Sequence, residues 1–454
     1  MKSRPNIVFI TIDSLRADFV GYQNQNEKNT PFLDSLSKKA IIFTNAISPA
    51  NPTFFTYCSI MTGALPFAFG SYLGIPDKDE INTIADVVKD NGYTTHAFIA
   101  DSPALYAEYG YGKGFDYYDD GYKDANKLSL YLGKSLWKLR QSTPEPIIKI
   151  IEICRQFLKS AFIPPKISVP GERLNQKIKK QFSIKQSGPF FLWAHYMDSH
   201  IPYYSGLNKY FYEKETFIKR MVKKFIFFKE LPISLRKMKL KNTEITDIFK
   251  EGYRSAIKYT DRQLNNIVTF LQNKYPNTVF IITSDYGEAF MEHNNFFAHE
   301  PFSLYNELVH IPLIIYGPSI KPKVISKTVS LVSIAKTISG LAGIQKTKFQ
   351  GNDLLKDKIY SPTNNISRIL YGCRSPHVRL GILDNKTEIF GYKSLWSFTT
   401  ENEKYIVNEN GKTKEYYSLL NDPKEMKNIM NKKSINRHLI NKLEKIIAKS
   451  SKFD

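Results

Sequence analysis

Strand-length runs of apolar residues recur along the chain, and several end abruptly in an acidic or hydroxyl residue. Residues 6–12, Asn-Ile-Val-Phe-Ile-Thr-Ile, alternate little and are rich in Ile. That pattern predicts a strand covered on both faces, as in a parallel sheet, with Asp13 at its C-terminal end. A helix is expected over about 31–39, a short strand over 41–44, and a second helix that starts near Thr53 and stops at Gly63. Residues 82–91 read as a helix closed by Asn91-Gly92, followed by a strand over 94–99. Further strands are expected over 189–194, 279–283 and 312–316, with helices over about 251–273 and near 331–342. The strand over 279–283 delivers Ser284, Asp285, Tyr286 and Gly287 to the sheet edge. Alternating strands and helices predict an α/β fold with a mostly parallel sheet and helices on both faces.

Two regions break this rhythm. Residues from about 134 to 250, apart from the strand at 189–194, are basic, aromatic and interrupted by Pro164-Pro165, Pro170 and Pro232, and read as insertions over about 134–188 and 204–250. From about 369 the pattern changes to hairpin-like pieces and a lysine-rich terminal helix. The expected division is a catalytic domain over 1–368 and a small C-terminal α+β subdomain over 369–454.

Composition narrows the class. The chain has 454 residues, 42% of them hydrophobic and 14% aromatic, which is ample for a core and excludes a disordered chain. Its 64 Lys and Arg against 43 Asp and Glu give a formal charge of +21, a field that favours anionic partners. The three cysteines have no CxxC spacing, so neither a disulfide framework nor a thiolate zinc site is expected. Together with the absence of an export-signal pattern, this leads to an expected cytoplasmic location. Within 209–241, Lys and Arg interleave with Phe, Ile, Met and Leu. Peripheral contact with an anionic membrane or a lid over an acidic substrate is possible for that pattern, and a solvated helix face is the simpler reading.

Candidate chemistry gathers at the strand ends. Asp13 and Asp285 each follow a buried strand, and two carboxylates at one edge favour a hard divalent ion, although either alone reads as a turn or cap residue. Thr53 follows Asn51-Pro52 at a helix start, where an anion is attracted and where Thr also serves as a cap; from spacing alone the capping role is the simpler one. His195, Asp198 and His200 follow the strand at 189–194, and His293 and His299 lie farther on; each could hold a metal or move a proton, or merely close a polar loop. His310 is expected to be structural.

The strings Pro5-Asn-Ile-Val-Phe-Ile-Thr-Ile-Asp-Ser-Leu-Arg-Ala-Asp, Thr30-Pro-Phe-Leu-Asp-Ser-Leu, Met61-Thr-Gly-Ala-Leu-Pro, Thr283-Ser-Asp-Tyr-Gly-Glu and Tyr417-Ser-Leu-Leu-Asn-Asp-Pro-Lys-Glu resemble, in order, blocks of the sulfatase and alkaline phosphatase superfamily. The resemblance implies an alkaline-phosphatase-like core, one divalent metal (Ca, Mg, Mn or Zn) on Asp13, Asp285 and Thr53, and a covalent intermediate at position 53. Tyr286 stands where many sulfatases have a His or Asn, Ser14 where many have a second Asp, and Glu288 is a further candidate ligand. His200 and His299 are the candidate proton-transfer groups. Sulfatases carry a Cys or Ser within a Cys-or-Ser-x-Pro-x-Arg string at the nucleophile; here the string is Thr53-Phe-Phe-Thr-Tyr, with Cys58 five residues on, so formylglycine chemistry is not expected. A Thr nucleophile resembles the superfamily's phosphotransferases and phosphodiesterases. The expected function is hydrolysis or transfer of a phosphate or sulfate ester, with a glycan or lipid head group as carrier and no nucleic acid partner. A sulfuric ester hydrolase with an unusual nucleophile is one alternative. A binding protein with a decayed metal site, for which Ser14 and Tyr286 speak, is the other.

Overall fold

The structure is a computed structural model and describes residues 4–65, 74–76, 80–121, 169–201, 203, 243–293, 297–298, 303–356, 366–370, 394–408, 414–432 and 435–450. The stretch 209–241 and His299 lie outside the described residues.

The main sheet is built from β1 (Asn6–Ile12), β2 (Ile41–Ile47), β4 (Thr94–Ile99), β5 (Tyr117–Asp119), β6 (Phe190–Tyr196), β7 (Thr278–Ser284), β10 (His310–Tyr316), β11 (Lys323–Ile325) and β12 (Val329–Ser330). Among the described residues it runs in the order β11-β2-β10-β7-β1-β6-β4-β5, with β12 also pairing β2, while β8 (Ala289–Phe290) and β9 (Phe297–Ala298) form a separate two-stranded pair. β1 is parallel to both of its neighbours, β6 and β7. β10 alone runs antiparallel, to β2 and to β7. The expected mostly parallel α/β sheet is what the chain forms.

Near-continuous apolar strands make sense because each face of the sheet is covered. Val8, Ile10 and Ile12 of β1 face α1 (Pro31–Ser37), α4 (Gly171–Gln181) and α5 (Thr243–Lys274), through Leu36, Ile178 and Leu264. Ile7 and Phe9 face α2 (Thr53–Thr62), α3 (Ile84–Lys89) and α7 (Ser333–Leu341), through Ile60, Val88 and Ile338. Full burial of one such side chain stabilises the fold by roughly 1.5–3 kcal/mol. α5 begins earlier than the expected 251, because Phe249, Tyr253, Ala256, Ile257 and Leu264 continue one buried helical face.

A second sheet runs in the order β16 (Lys414–Ser418), β15 (Glu403–Asn408), β14 (Ser394–Thr399), β13 (Ile366–Leu370), β3 (Ala50–Asn51). β13 spans the expected boundary after residue 368. The short β3, far away in sequence, joins this sheet by parallel pairing of Ala50 with Arg368 and Asn51 with Ile369. Trp396 and Tyr405 of this sheet pack with Leu439 and Leu443 of the terminal helix α8 (Arg437–Ser450). From its other face, Leu395 and Ile406 meet Leu304 and Leu308, the latter in the short helix α6 (Asn306–Val309). The small sheet therefore ends against the segment that leads into Thr53.

Candidate active site

Strand register brings the two carboxylates together. Ile12 pairs with Ser284 and with Tyr196, so Asp13 and Asp285 each lie one residue beyond paired positions of adjacent parallel strands. This is the carboxyl edge, where open α/β sheets place ligands. Both side chains are fully buried. Asp285 Oδ1 accepts the backbone N–H groups of Ser14 at 3.0 Å and Tyr286 at 2.9 Å. Asp13 Oδ1 accepts Ser14 Oγ at 2.7 Å and the Tyr286 hydroxyl at 3.3 Å. Ser14 achieves this with a left-handed backbone, φ 58°, a conformation uncommon outside glycine. Burial, and next the nearby Asp13 charge, push the Asp285 carboxyl well above the usual carboxylate range.

Thr53 does not act as a cap. It is the first residue of α2, the cap position is Pro52, and no side chain caps this helix. The Asn51–Pro52 peptide is cis. Thr53 Oγ1 instead lies 2.9 Å from the Tyr286 hydroxyl. Since the phenol donates to Asp13, the threonine hydroxyl is the donor to the phenol oxygen, giving a chain Thr53–Tyr286–Asp13. At the start of α2 the Phe55 and Thr56 N–H groups bond the Pro52 carbonyl oxygen at 3.1 and 3.3 Å, and only those of Thr53 and Phe54 lie too early to find a carbonyl within the helix.

The remaining candidates are placed as follows. His195 is in register with Thr11, and its Nδ1 is 3.0 Å from Thr11 Oγ1 and 2.8 Å from the Tyr57 hydroxyl. Its Nε2 faces Asp13 Oδ2 at 3.5 Å. His200 is half-buried, with Nδ1 2.5 Å from the Ile201 carbonyl oxygen. Glu288 is buried beside Tyr203, and its charge acts on the hydroxyls of Tyr203 and Tyr253. His293 stacks on Tyr305 and bonds Glu307 at 2.7 Å and the Glu425 carbonyl at 3.0 Å, at the junction with the small sheet. His310 bonds the Thr44 carbonyl and takes part in the main sheet. Cys58 is buried on α2, and burial pushes its thiol up to about 12, so it stays an unreactive thiol.

Sequence reasoning missed three contributors. Tyr57 lies one helical turn after Thr53 on the same face of α2, a spacing that could have revealed it. Asn51 is fully buried beside Thr53, and neither side-chain amide atom has a hydrogen-bond partner among the described residues. Arg16 is buried against Asp18, Glu292 and the Glu288 carbonyl, which anchors the loop after β1 to the loop after β7.

A model of the family described as Sulfatase matches residues 5–344. The chain belongs to the sulfatase family. It is 23% identical to arylsulfatase K of Gallus gallus, over 94% of this chain and 79% of that one. Among solved structures, a protein of the alkaline phosphatase superfamily from Vibrio parahaemolyticus superposes with a TM-score of 0.62 at 17% identity, covering 100% of this chain and 87% of that one. A 2-O GAG sulfatase superposes with a TM-score of 0.68 at 15% identity, covering 99% and 93%. The alkaline-phosphatase-like fold of this sulfatase-family chain is thereby established.

The superfamily generally uses a divalent metal. A hard ion wants about six oxygen ligands. Asp285 Oδ2, buried and without a hydrogen-bond partner among the described residues, is one donor suited to it. Yet no group of three His, Cys, Asp or Glu side chains suited to a metal forms among the described residues. Ser14 spends its hydroxyl on Asp13, and the Tyr286 phenol lies between Asp13 and Thr53. Among the described residues the donor set does not fit the ion.

Proposed function

We propose that this sulfatase-family protein hydrolyses a sulfate ester, with Thr53 as the nucleophile. The observation that supports it is the Thr53 hydroxyl, which is directed at Tyr286 and through it at Asp13 rather than at its own helix. In the proposed step Thr53 Oγ bonds to sulfur as the bond between sulfur and the carrier oxygen breaks. The threonine proton passes to the phenol oxygen, and the phenol's own proton passes to Asp13. His200, at the same sheet edge, is the proposed donor to the departing oxygen. Water, giving a proton to His200, then attacks the sulfur of the threonine sulfate as the bond from sulfur to Thr53 Oγ breaks, and the proton on Asp13 returns through the phenol to Thr53, releasing sulfate and restoring the hydroxyl. Anion binding at this point is favoured by the Thr53 and Phe54 N–H groups at the start of α2.

A glycan is the proposed carrier. The chain's charge of +21 favours a polyanion, and a 2-O GAG sulfatase shares the fold.

Thr53→Ala is expected to lower turnover of an aryl sulfate by about a thousand-fold or more with the fold intact, since loss of a nucleophile has effects of that size. Unchanged turnover would remove Thr53 from the chemistry. Faster turnover of an aryl phosphate than of the sulfate would shift the substrate to phosphorus. The second reading, a binding protein, is favoured by Ser14 and Tyr286 and by the 6% exposure of Thr53. Saturable binding of a sulfated glycan without turnover of any ester would establish that reading instead.

A further inference from the structure

Three elements meet at the Tyr286 hydroxyl: the end of β1 through Asp13, the end of β7 through Tyr286 itself, and the start of α2 through Thr53. We propose that the Tyr286 phenol takes the bridging place of a divalent cation, so that the protein holds the Thr53 hydroxyl against Asp13 without binding a divalent ion there. The phenol oxygen is 2.9 Å from Thr53 Oγ1 and 3.3 Å from Asp13 Oδ1. A calcium or magnesium ion bound to both of those oxygens would need to approach each to about 2.0–2.6 Å. An ion bridging those two oxygens on the phenol's side would overlap the phenol oxygen. The phenol's proton is already given to Asp13 and a lone pair to Thr53, so it would have to break these bonds to serve as a ligand itself.

The surroundings lock the phenol in place. Tyr286 is 1% exposed. Its backbone N–H is held by Asp285 Oδ1 at 2.9 Å, and its carbonyl by Ser284 Oγ at 2.7 Å. The next residue, Gly287, packs so closely that an added Cβ would lie 2.1 Å from the Glu307 carbonyl oxygen, which leaves this turn little freedom to swing the ring away. At the other carboxylate, the Ser14 hydroxyl occupies Asp13 Oδ1 at 2.7 Å, where a third acidic side chain would have added a ligand. At Asp13 Oδ1 and Thr53, a hydroxyl and a phenol thus satisfy by hydrogen bonds what a cation would satisfy by charge, whereas Asp285 Oδ2 keeps no hydrogen-bond partner among the described residues.

The proposal takes the role of Thr53 from the function proposed above, but it is tested without substrate, so the two can fail separately. The full chain is equilibrated in turn with Ca, Mg, Mn and Zn, its bound metal is measured after desalting, and its melting temperature is compared with and without EDTA. The expected result is a small fraction of one equivalent of any ion and no thermal shift, since an ion bound only by the folded state would raise the melting temperature. Tyr286→Asn, which removes the phenol and offers an amide oxygen, is expected to bind close to one equivalent, and adding Asp285→Asn is expected to abolish that binding. One equivalent held by the wild type and lost in Asp285→Asn overturns the proposal. So does a folded Tyr286→Asn variant that binds none of the four ions. Should Tyr286→Asn fail to fold, wild-type stoichiometry and the EDTA comparison decide.

Discussion

Asp198, at the end of β6, carries an electrostatic cost next to the site. It accepts the Gly171 N–H at 3.1 Å, and burial pushes its carboxyl from 3.8 up to about 7, against the lowering effect of that N–H. A raised folded-state value means that the folded protein holds this proton more tightly than the unfolded chain does. The resulting penalty is absent below the ordinary value of 3.8, grows as pH rises toward about 7, and is constant above it. At about 1.4 kcal/mol per unit, the penalty at pH 8 is on the order of 4 kcal/mol. Asp198→Asn keeps an acceptor for Gly171 and removes the charge. Its melting temperature is therefore expected to exceed that of the wild type at pH 8 and to match it at pH 4; equal stability at both would show that Asp198 is ionised at no cost.

Helix α2 shows how an element places a residue. Its start was legible in Asn51-Pro52-Thr53 and its stop in Gly63, which adopts φ 58° as the terminal left-handed residue. A Cβ at that glycine would come within 2.8 Å of the Phe349 side chain. Gly63→Ala is expected to lower stability by about 1–3 kcal/mol, through the backbone conformation and the clash together. Chemical denaturation would measure it, and a loss below a few tenths of a kcal/mol would mean that the helix end relaxes freely. Legibility of the site followed the same logic. Asp13 and Asp285 stood out because each ends an apolar run, and parallel register then brought them together. The pairing of β3 with β13 was not legible, because a two-residue strand has no periodicity and its partner lies some three hundred positions away. The role of Tyr286 was equally hidden. Spacing puts a residue at a sheet edge but does not say whether its hydroxyl binds a metal or replaces one.

At the scale of the whole molecule, a buried polar cluster helps to fasten the small sheet to the elements around the main sheet. Lys404 Nζ lies 2.8 Å from Glu425 Oε1 with both side chains fully buried, and it also donates to Asn306 Oδ1 at 3.0 Å. Glu425 Oε2 accepts the Asn306 N–H at 2.6 Å, and its carbonyl accepts from His293. Asn306 opens helix α6, whose Leu308 carbonyl accepts the Gly287 N–H, so the cluster reaches the loop that carries Tyr286. Replacing only the lysine by methionine leaves a buried carboxylate without its cation, a change that costs about 3–5 kcal/mol. Lys404→Met is therefore expected to melt earlier. Because β13 pairs with β3 immediately before Thr53, amide exchange should quicken in the 366–370 and 50–53 segments more than in β1. Adding Glu425→Gln should recover much of the lost stability, because the uncompensated charge is gone. If Lys404→Met alone exchanges and melts like the wild type, the cluster does not bear on the docking of the small sheet, and the position of Thr53 is set by the main sheet and its helices alone.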